Sequence, residues 1–113
     1  MSLDPVESNP DHYAVVFEND RVRVLEYHDT PGHRTTLHAH PDSVMVSLSS
    51  FRRRLCADGR EVEVEIPAGV ARWLSAQQHY GENIGDTESR SVFVELKEPG
   101  LQQPRDEPAL GPS

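Results

Sequence analysis

Short runs of apolar and β-branched residues, separated by turn-forming residues, extend through this 113-residue chain from residue 12 to residue 97. The clearest run is 61–66, in which valine and isoleucine alternate with glutamate, as in a strand that buries one face. Asp58-Gly59 separates it from the run 51–57, and an Asp-Gly pair in that position predicts a β-hairpin. No sustained 3.6-residue apolar period occurs between residues 12 and 97. The sequence therefore predicts an all-β domain, either a sandwich or a barrel.

The same criteria divide the chain into three parts. Residues 1–11 are polar and contain two prolines, which is typical of an N-terminal arm. Residues 12–97 form the predicted domain, and residues 98–113, with four prolines and two glycines, are predicted to be an irregular tail. Besides the two strands of the hairpin, the predicted strands are 14–17, 21–28, 35–40, 44–50, 72–75, 79–83 and 91–97.

Charge and composition exclude several classes of function. The chain has 19 acidic and 11 basic residues, and its net charge of −8 would repel nucleic acid. The basic run 52–54 is expected to be solvated. A single cysteine, Cys56, allows neither an intrachain disulfide nor a zinc site built on thiolates, which suits a reducing cytoplasm. No stretch has the ~20 apolar residues of a membrane span, and no signal pattern opens the chain, so we expect a soluble cytoplasmic protein.

The spacing of two histidines is the most informative local feature. His38 and His40 are two residues apart in a predicted strand, so both side chains point to the same face. Imidazole is a good ligand for divalent transition metals. Two imidazoles alone make a weak site, and His79 is the best candidate for a third ligand. The remaining histidines, His12, His28 and His33, are expected at the surface.

The residues around these histidines resemble the first motif of the cupin family. That motif consists of a glycine, five residues, His-X-His, three or four residues and a glutamate. Gly32 is followed after five residues by His38-Ala39-His40. The glutamate position falls on Val44 or Met45, neither of which can bind a hard metal ion. The resemblance therefore implies a site that lacks the carboxylate of the family.

The second cupin motif is similar in its histidine and asparagine but not in its Pro-X-Gly. Gly69 is followed after five residues by the segment 75–77, Ser-Ala-Gln, and then by His79 and Asn83 at the expected separation. A second alignment uses 67–69 as the Pro-X-Gly, but it places Arg72 at the histidine position and loses the asparagine. We prefer the first alignment because it keeps both polar residues in place.

The resemblance covers about residues 20–97 and implies an antiparallel jelly-roll β-barrel, also called a double-stranded β-helix. It implies that His38, His40 and His79 bind a divalent metal ion (Fe, Zn, Ni or Mn) at the barrel mouth. We expect Asn83 to be a structural residue, placed to hydrogen-bond across the barrel mouth near His79 and so support the orientation of a ligand. Asp42 is near the motif, but its place beside Pro41 indicates a turn or cap instead, and Glu82 and Glu95 are the further carboxylates considered for the site.

The function implied by the resemblance is an action on a small anionic or chelating metabolite, of the dioxygenase or isomerase type. Three neutral ligands leave the metal ion its full charge, which favours such a ligand. Arg72 would attract carboxylates if it lined the pocket, but the outer face is the preferred position. A non-catalytic binding module and a structural dimerisation domain are the alternatives. Because so short a chain buries little surface, we expect a homodimer in which residues 12–18 add a strand to the partner's sheet.

Overall fold

A computed structural model of the chain describes residues 2–97, which form nine antiparallel strands and one short helix. In chain order these elements are α1 (Pro5–Ser8), β1 (Tyr13–Glu18), β2 (Val22–Asp29), β3 (His38–His40), β4 (Ser43–Ser47), β5 (Phe51–Ala57), β6 (Arg60–Ile66), β7 (Ala71–Leu74), β8 (Gln77–Asn83) and β9 (Ser89–Leu96). The prediction of an all-β domain is confirmed. The predicted tail, 98–113, lies outside the described residues. No helix in the described part of the chain is both long enough and apolar enough to cross a membrane.

The strands form two sheets that pack as a jelly roll. One sheet has five strands in the order β1-β2-β9-β4-β7, and the other has four in the order β3-β8-β5-β6. Alternation along each strand turns one set of side chains to the interior between the sheets. The buried apolar residues are Tyr13, Leu25, Tyr27, Met45, Phe51, Ile66 and Phe93. These seven residues come from six of the nine strands, with none from β3, β7 or β8, and polar residues fill much of the rest of the interior.

The hairpin predicted at Asp58-Gly59 is confirmed. Both residues have positive φ angles, 51° and 73°, as a tight two-residue turn requires. The strands β5 and β6 pair without a register shift from one end to the other. The valine and isoleucine face of β6 is expected to be buried along its whole length, but burial is complete only at the end of the strand. Ile66 is buried, whereas Val62 is 54% exposed on this edge strand.

The N-terminal arm contains the helix α1 and packs against the chain's own domain. Asp4 caps the helix, and its carboxylate also forms an ion pair with Arg23 of β2 at 2.6 Å. The backbone carbonyl of Leu3 accepts a hydrogen bond from the N–H of Ala39 in β3. The strand β1 pairs with β2 of the same chain, so it does not depend on a partner's sheet for its pairing.

A row of apolar side chains crosses the outer face of the five-stranded sheet. Residues directly opposite one another on adjacent strands share a face. The register places Phe17, Val24, Val94, Val44 and Trp73 side by side across all five strands. Phe17 and Trp73, at the two ends of this outer row, are 53% and 55% exposed.

The expectation that the whole basic run 52–54 is solvated was wrong for its middle residue. Strand alternation turns Arg53 into the interior, where it is buried and pairs with Asp29 at 2.7 Å. Tyr27 also donates to the Asp29 carboxylate, and the amide of Asn83 donates to its other oxygen at 3.0 Å. Burial alone raises the pKa of Asp29, but the bonds from Tyr27 and Arg53 and the Arg53 charge outweigh it and lower that pKa. The interior therefore holds an ionised pair in which both carboxylate oxygens accept hydrogen bonds.

Candidate metal centre

Two neighbouring strands bring the three predicted histidines together. His38 and His40 lie on β3 and point the same way, and β3 pairs with β8 so that His38 stands directly opposite His79. One ring nitrogen from each histidine lies within 4.8 Å of the others. All three side chains are buried, with exposures of 1%, 2% and 8%. The sequence thus predicted correctly that these residues form one cluster.

Each imidazole is held from behind through its Nδ1 atom. The Nδ1 of His38 bonds to the carbonyl oxygen of Thr36 at 2.7 Å, that of His40 to the Glu95 carboxylate at 2.8 Å, and that of His79 to Oε1 of Gln77 at 2.9 Å. These oxygens only accept hydrogen bonds, so each Nδ1 carries the proton. Each Nε2 is left with a free lone pair. Such outer hydrogen bonds are what orient histidines in metal sites.

Gln77 departs from the cupin motif, and its side chain contacts His79. The amide nitrogen of Gln77 donates to the carbonyl of Ser75 at 2.9 Å, which turns its Oε1 toward His79. Gln77 occupies the position of the glycine in Pro-X-Gly. A glycine there would have no side chain to bond to His79. The glutamine at this position therefore provides the hydrogen bond that orients the His79 ring.

Burial keeps two of these histidines unprotonated. It lowers the pKa of His38 to about 4, and the nearby His40 and Arg53 charges act in the same direction, whereas the bond to Thr36 opposes it. Burial, followed by the charges of His40 and His38, lowers the pKa of His79 to about 3. Both rings are therefore neutral near pH 7 and offer lone pairs to a cation.

Tyr13 is a site residue that the sequence analysis missed. Its hydroxyl lies 3.2 Å from Nε2 of His38 and 3.3 Å from Nε2 of His40, and its side chain is 5% exposed. Burial raises the pKa of this hydroxyl well above its ordinary value. The residue opens β1, before the predicted strand 14–17, and no local motif marks it, because its proximity to β3 depends on how the two sheets pack.

The three alternative carboxylates have different environments. Asp42 accepts a hydrogen bond from the backbone N–H of Ala76 and so stabilises a turn. Glu82 pairs with Arg54 at 3.4 Å, on the opposite face of β8 from His79. Glu95 is buried and reaches the cluster, but its contact is with Nδ1 of His40. Its second oxygen pairs with Arg23 at 3.1 Å.

Asn83 is structural, as expected, but its hydrogen bonds do not reach His79 as predicted. Its amide nitrogen donates to Asp29 and to the carbonyl of Thr87, and its oxygen accepts from the N–H of Gly85. Asn83 therefore links the buried ion pair to the turn between β8 and β9. The other histidines lie outside the cluster: His28 bonds to Glu88 at 2.6 Å, and the rings of His12 and His33 pack at a tilt of 55° with their centroids 5.4 Å apart.

A cavity of about 140 Å³ adjoins the cluster. His38, His79 and Tyr13 contribute to its wall, and most of the remaining wall is apolar. Arg72 also lines it, which corrects the preference for an outer position. The register explains why: Arg72 stands opposite Met45, whose side chain points into the core, so Arg72 shares that inner face. Arg72 is itself exposed, so it lies at the opening of the cavity.

Comparison with solved structures identifies cupin domains. The chain is similar to a cupin domain from Bordetella pertussis Tohama I, with 30% identity over 75% of this chain and 91% of that chain and a TM-score of 0.70. It is also similar to a protein with a double-stranded β-helix domain from Klebsiella pneumoniae, with 23% identity, coverage of 80% and 78%, and a TM-score of 0.61. A predicted oxalate decarboxylase from Thermotoga maritima gives 20% identity, coverage of 74% and 78%, and a TM-score of 0.54.

The two structures below 25% identity share the fold with this chain and support nothing further. No protein-family model matches the sequence, and no curated protein matches it.

The lowered histidine pKa values predict a pH-dependent stability of the metal-free protein. Folding lowers the pKa of His38 from 6.5 to about 4, so below 6.5 the unfolded chain binds a proton that the folded protein does not. The contribution of His38 to the free energy of unfolding is fully present above pH 6.5 and is lost as the pH falls toward 4. At about pH 5 we expect a loss on the order of 1–2 kcal/mol for each of His38 and His79, measured by urea unfolding. A free energy of unfolding that is equal at about pH 5 and about pH 7 would contradict this.

Proposed function

The chain belongs to the cupin family, and we propose that it binds one divalent metal ion through Nε2 of His38, His40 and His79. The observation that carries this proposal is the occupation of all three Nδ1 atoms by acceptors, which leaves three lone pairs in one buried cluster. Fe, Zn, Ni and Mn all accept imidazole ligands. A bound ion would act as a Lewis acid on the oxygens of a substrate.

We further propose that the cavity takes a small anionic or chelating metabolite. Its volume of about 140 Å³ suits a molecule of a few heavy atoms, since a protein cavity of ~150 Å³ holds benzene. Three neutral ligands leave the cation's charge uncompensated, and Arg72 adds a positive charge at the opening. Arg53 contributes little to this charge because Asp29 neutralises it.

The groups that line the cavity favour oxygen chemistry over proton abstraction. Among the described residues of its wall there is no aspartate or glutamate, and its two histidines, His38 and His79, are proposed metal ligands, so no carboxylate or free imidazole is available there as a general base. A dioxygenase-like activity is therefore the first candidate. The same lack of a general base also suits the second candidate, a module that binds metal and metabolite without turnover.

Metal content tests the first proposal. We expect about one metal ion per chain in protein purified from metal-supplemented medium, by elemental analysis. His38→Ala and His79→Ala should each lower it to a small fraction, because two imidazoles make a weak site. His28→Ala removes an exposed histidine outside the cluster and is the matched control.

Retention of metal by both cluster variants, with circular dichroism unchanged, would exclude the proposed site. Oxygen uptake by the iron-loaded protein with a panel of diketones and diphenols would favour the enzyme. Stoichiometric metal without oxygen uptake on that panel would favour the binding module.

Substitution at the cavity opening tests the proposed class of ligand. In the Co(II)-loaded protein we expect glycolate, a chelating 2-hydroxy carboxylate, to perturb the visible spectrum on binding. Arg72→Gln should raise its Kd by roughly tenfold through loss of a charged hydrogen bond, with metal affinity unchanged. Arg60→Gln, on the β5–β6 turn away from the cavity, removes the same charge and should change the Kd little. Equal effects of the two changes would exclude a specific contact by Arg72.

We also propose that the protein is a homodimer formed through the outer row of the five-stranded sheet. Contiguous apolar surface of this kind commonly marks an interface, and a flat face can pair with its own copy around a two-fold axis. Light scattering should give the mass of a dimer, and Trp73→Arg should shift it toward the monomer. Val62→Arg, on the edge strand of the other sheet, is the control. A monomeric wild-type protein would contradict the proposal.

A further inference from the structure

The hydroxyl of Tyr13 contacts the two nitrogens that are proposed to bind metal. It is buried, and its only hydrogen-bond partners among the described residues are Nε2 of His38 and Nε2 of His40, at 3.2 and 3.3 Å. A hydroxyl can donate to one such nitrogen at a time. The following inference rests on the proposed metal site and concerns what happens to this group when the site is filled.

Metal binding would remove both of these acceptors. The Nε2 lone pairs of His38 and His40 would point at the metal ion and could no longer accept from Tyr13. A buried hydroxyl without a partner is unfavourable, so the Tyr13 oxygen needs a new one. The nearest group able to take its lone pair is the ion itself.

The spacing of the three atoms agrees with ligands of a common ion. Donors held tetrahedrally at about 2.0 Å from a Zn²⁺ ion lie about 3.3 Å from one another. The Tyr13 oxygen is 3.2 and 3.3 Å from the two nitrogens. The ring is also fixed in place, since its centroid lies 4.7 Å from that of Tyr27 and 5.8 Å from that of Phe93.

The charges of the groups around the site also favour an anionic oxygen ligand. The histidines are neutral donors, and Val44 and Met45 stand where the family's glutamate would be, so no anionic ligand comes from the motif. The buried Glu95 is engaged by Arg23 and by Nδ1 of His40. A single anionic oxygen beside the three nitrogens would offset part of the ion's charge in this buried site.

We propose that Tyr13 is the fourth protein ligand of the metal ion and replaces the missing carboxylate of the first motif. Tyr13 would hold the ion through its phenolate oxygen, which would require the O–H bond to break and its proton to leave to solvent water when the metal binds. The site would then consist of three nitrogens and one oxygen, with the oxygen supplied by a strand that neither motif includes.

Spectroscopy of the ferric protein tests this directly, without any assay of activity. Protein loaded with one equivalent of Fe(III) should show a visible tyrosinate-to-iron charge-transfer band and the matching resonance Raman vibrations of a coordinated tyrosine. Tyr13→Phe, which keeps the ring and its packing, should abolish both. It should also raise the Kd for Zn²⁺ by at least roughly tenfold, the lower end of the loss caused by removing an outer hydrogen-bond partner.

The control variant is Tyr27→Phe, whose ring packs on Tyr13 but whose hydroxyl bonds to Asp29, and it should retain the band. Wild-type protein that binds Fe(III) without the band, or a band that survives in Tyr13→Phe, would overturn the inference and leave the histidine site intact. Failure of the wild type to bind any metal would instead reject the proposed function. Because the wild-type spectrum alone decides whether tyrosine is bound, the test holds even if Tyr13→Phe does not fold.

Discussion

Polar side chains buried between the two sheets have to be paired, because an unpaired polar group away from water is costly. Buried polar residues outnumber buried apolar ones in the part of the chain that the structure describes. One network is centred on Asp29 and Arg53 and includes the amide of Asn83. The other is centred on the three histidines. Since the inner faces carry both networks, the interior combines the scaffold of the fold with the candidate site.

The two networks differ in what they leave free. In the first, the charges of Arg53 and Asp29 cancel, both Asp29 oxygens accept hydrogen bonds, and the Asn83 amide bonds through its nitrogen and its oxygen. In the second, the outer nitrogens of the histidines are bonded, while the hydrogen-bond partner of the inner ones within residues 2–97 is the Tyr13 hydroxyl alone. The charged groups of the first network therefore bond to one another, whereas the inner histidine nitrogens of the second carry lone pairs beside a cavity.

Local pattern predicted the strands and the histidine pair because both follow from alternation within a few residues. The hairpin at Asp58-Gly59 and the shared face of His38 and His40 need no knowledge of distant segments. Tyr13, by contrast, meets the histidines through the packing of two sheets. Motif spacing alone identified His79, but it gave no reason to expect Gln77 or Glu95 behind the rings.

The errors have the same origin. A short basic run in an acidic chain indicates solvated side chains, yet strand alternation turns Arg53 inward, where Asp29 of a distant strand neutralises it. The outer face is the predicted position of Arg72, but Arg72 stands opposite Met45 and therefore lines the cavity. The sequence alone does not reveal this register. Asn83 kept its motif position but bonds to the ion-pair network. Pairing across strands, which one sequence does not display, decided each case.

A chain of ionic contacts also connects the N-terminal segment to one candidate ligand. Asp4 pairs with Arg23, Arg23 pairs with Glu95, and Glu95 accepts from Nδ1 of His40. The charge on Glu95 is therefore shared between a cation and an imidazole, and the same cation also pairs with Asp4. A cut that removes Asp4 would leave Glu95 as the carboxylate that pairs with Arg23 among the described residues, so the segment before β1 belongs to the surroundings of the candidate site.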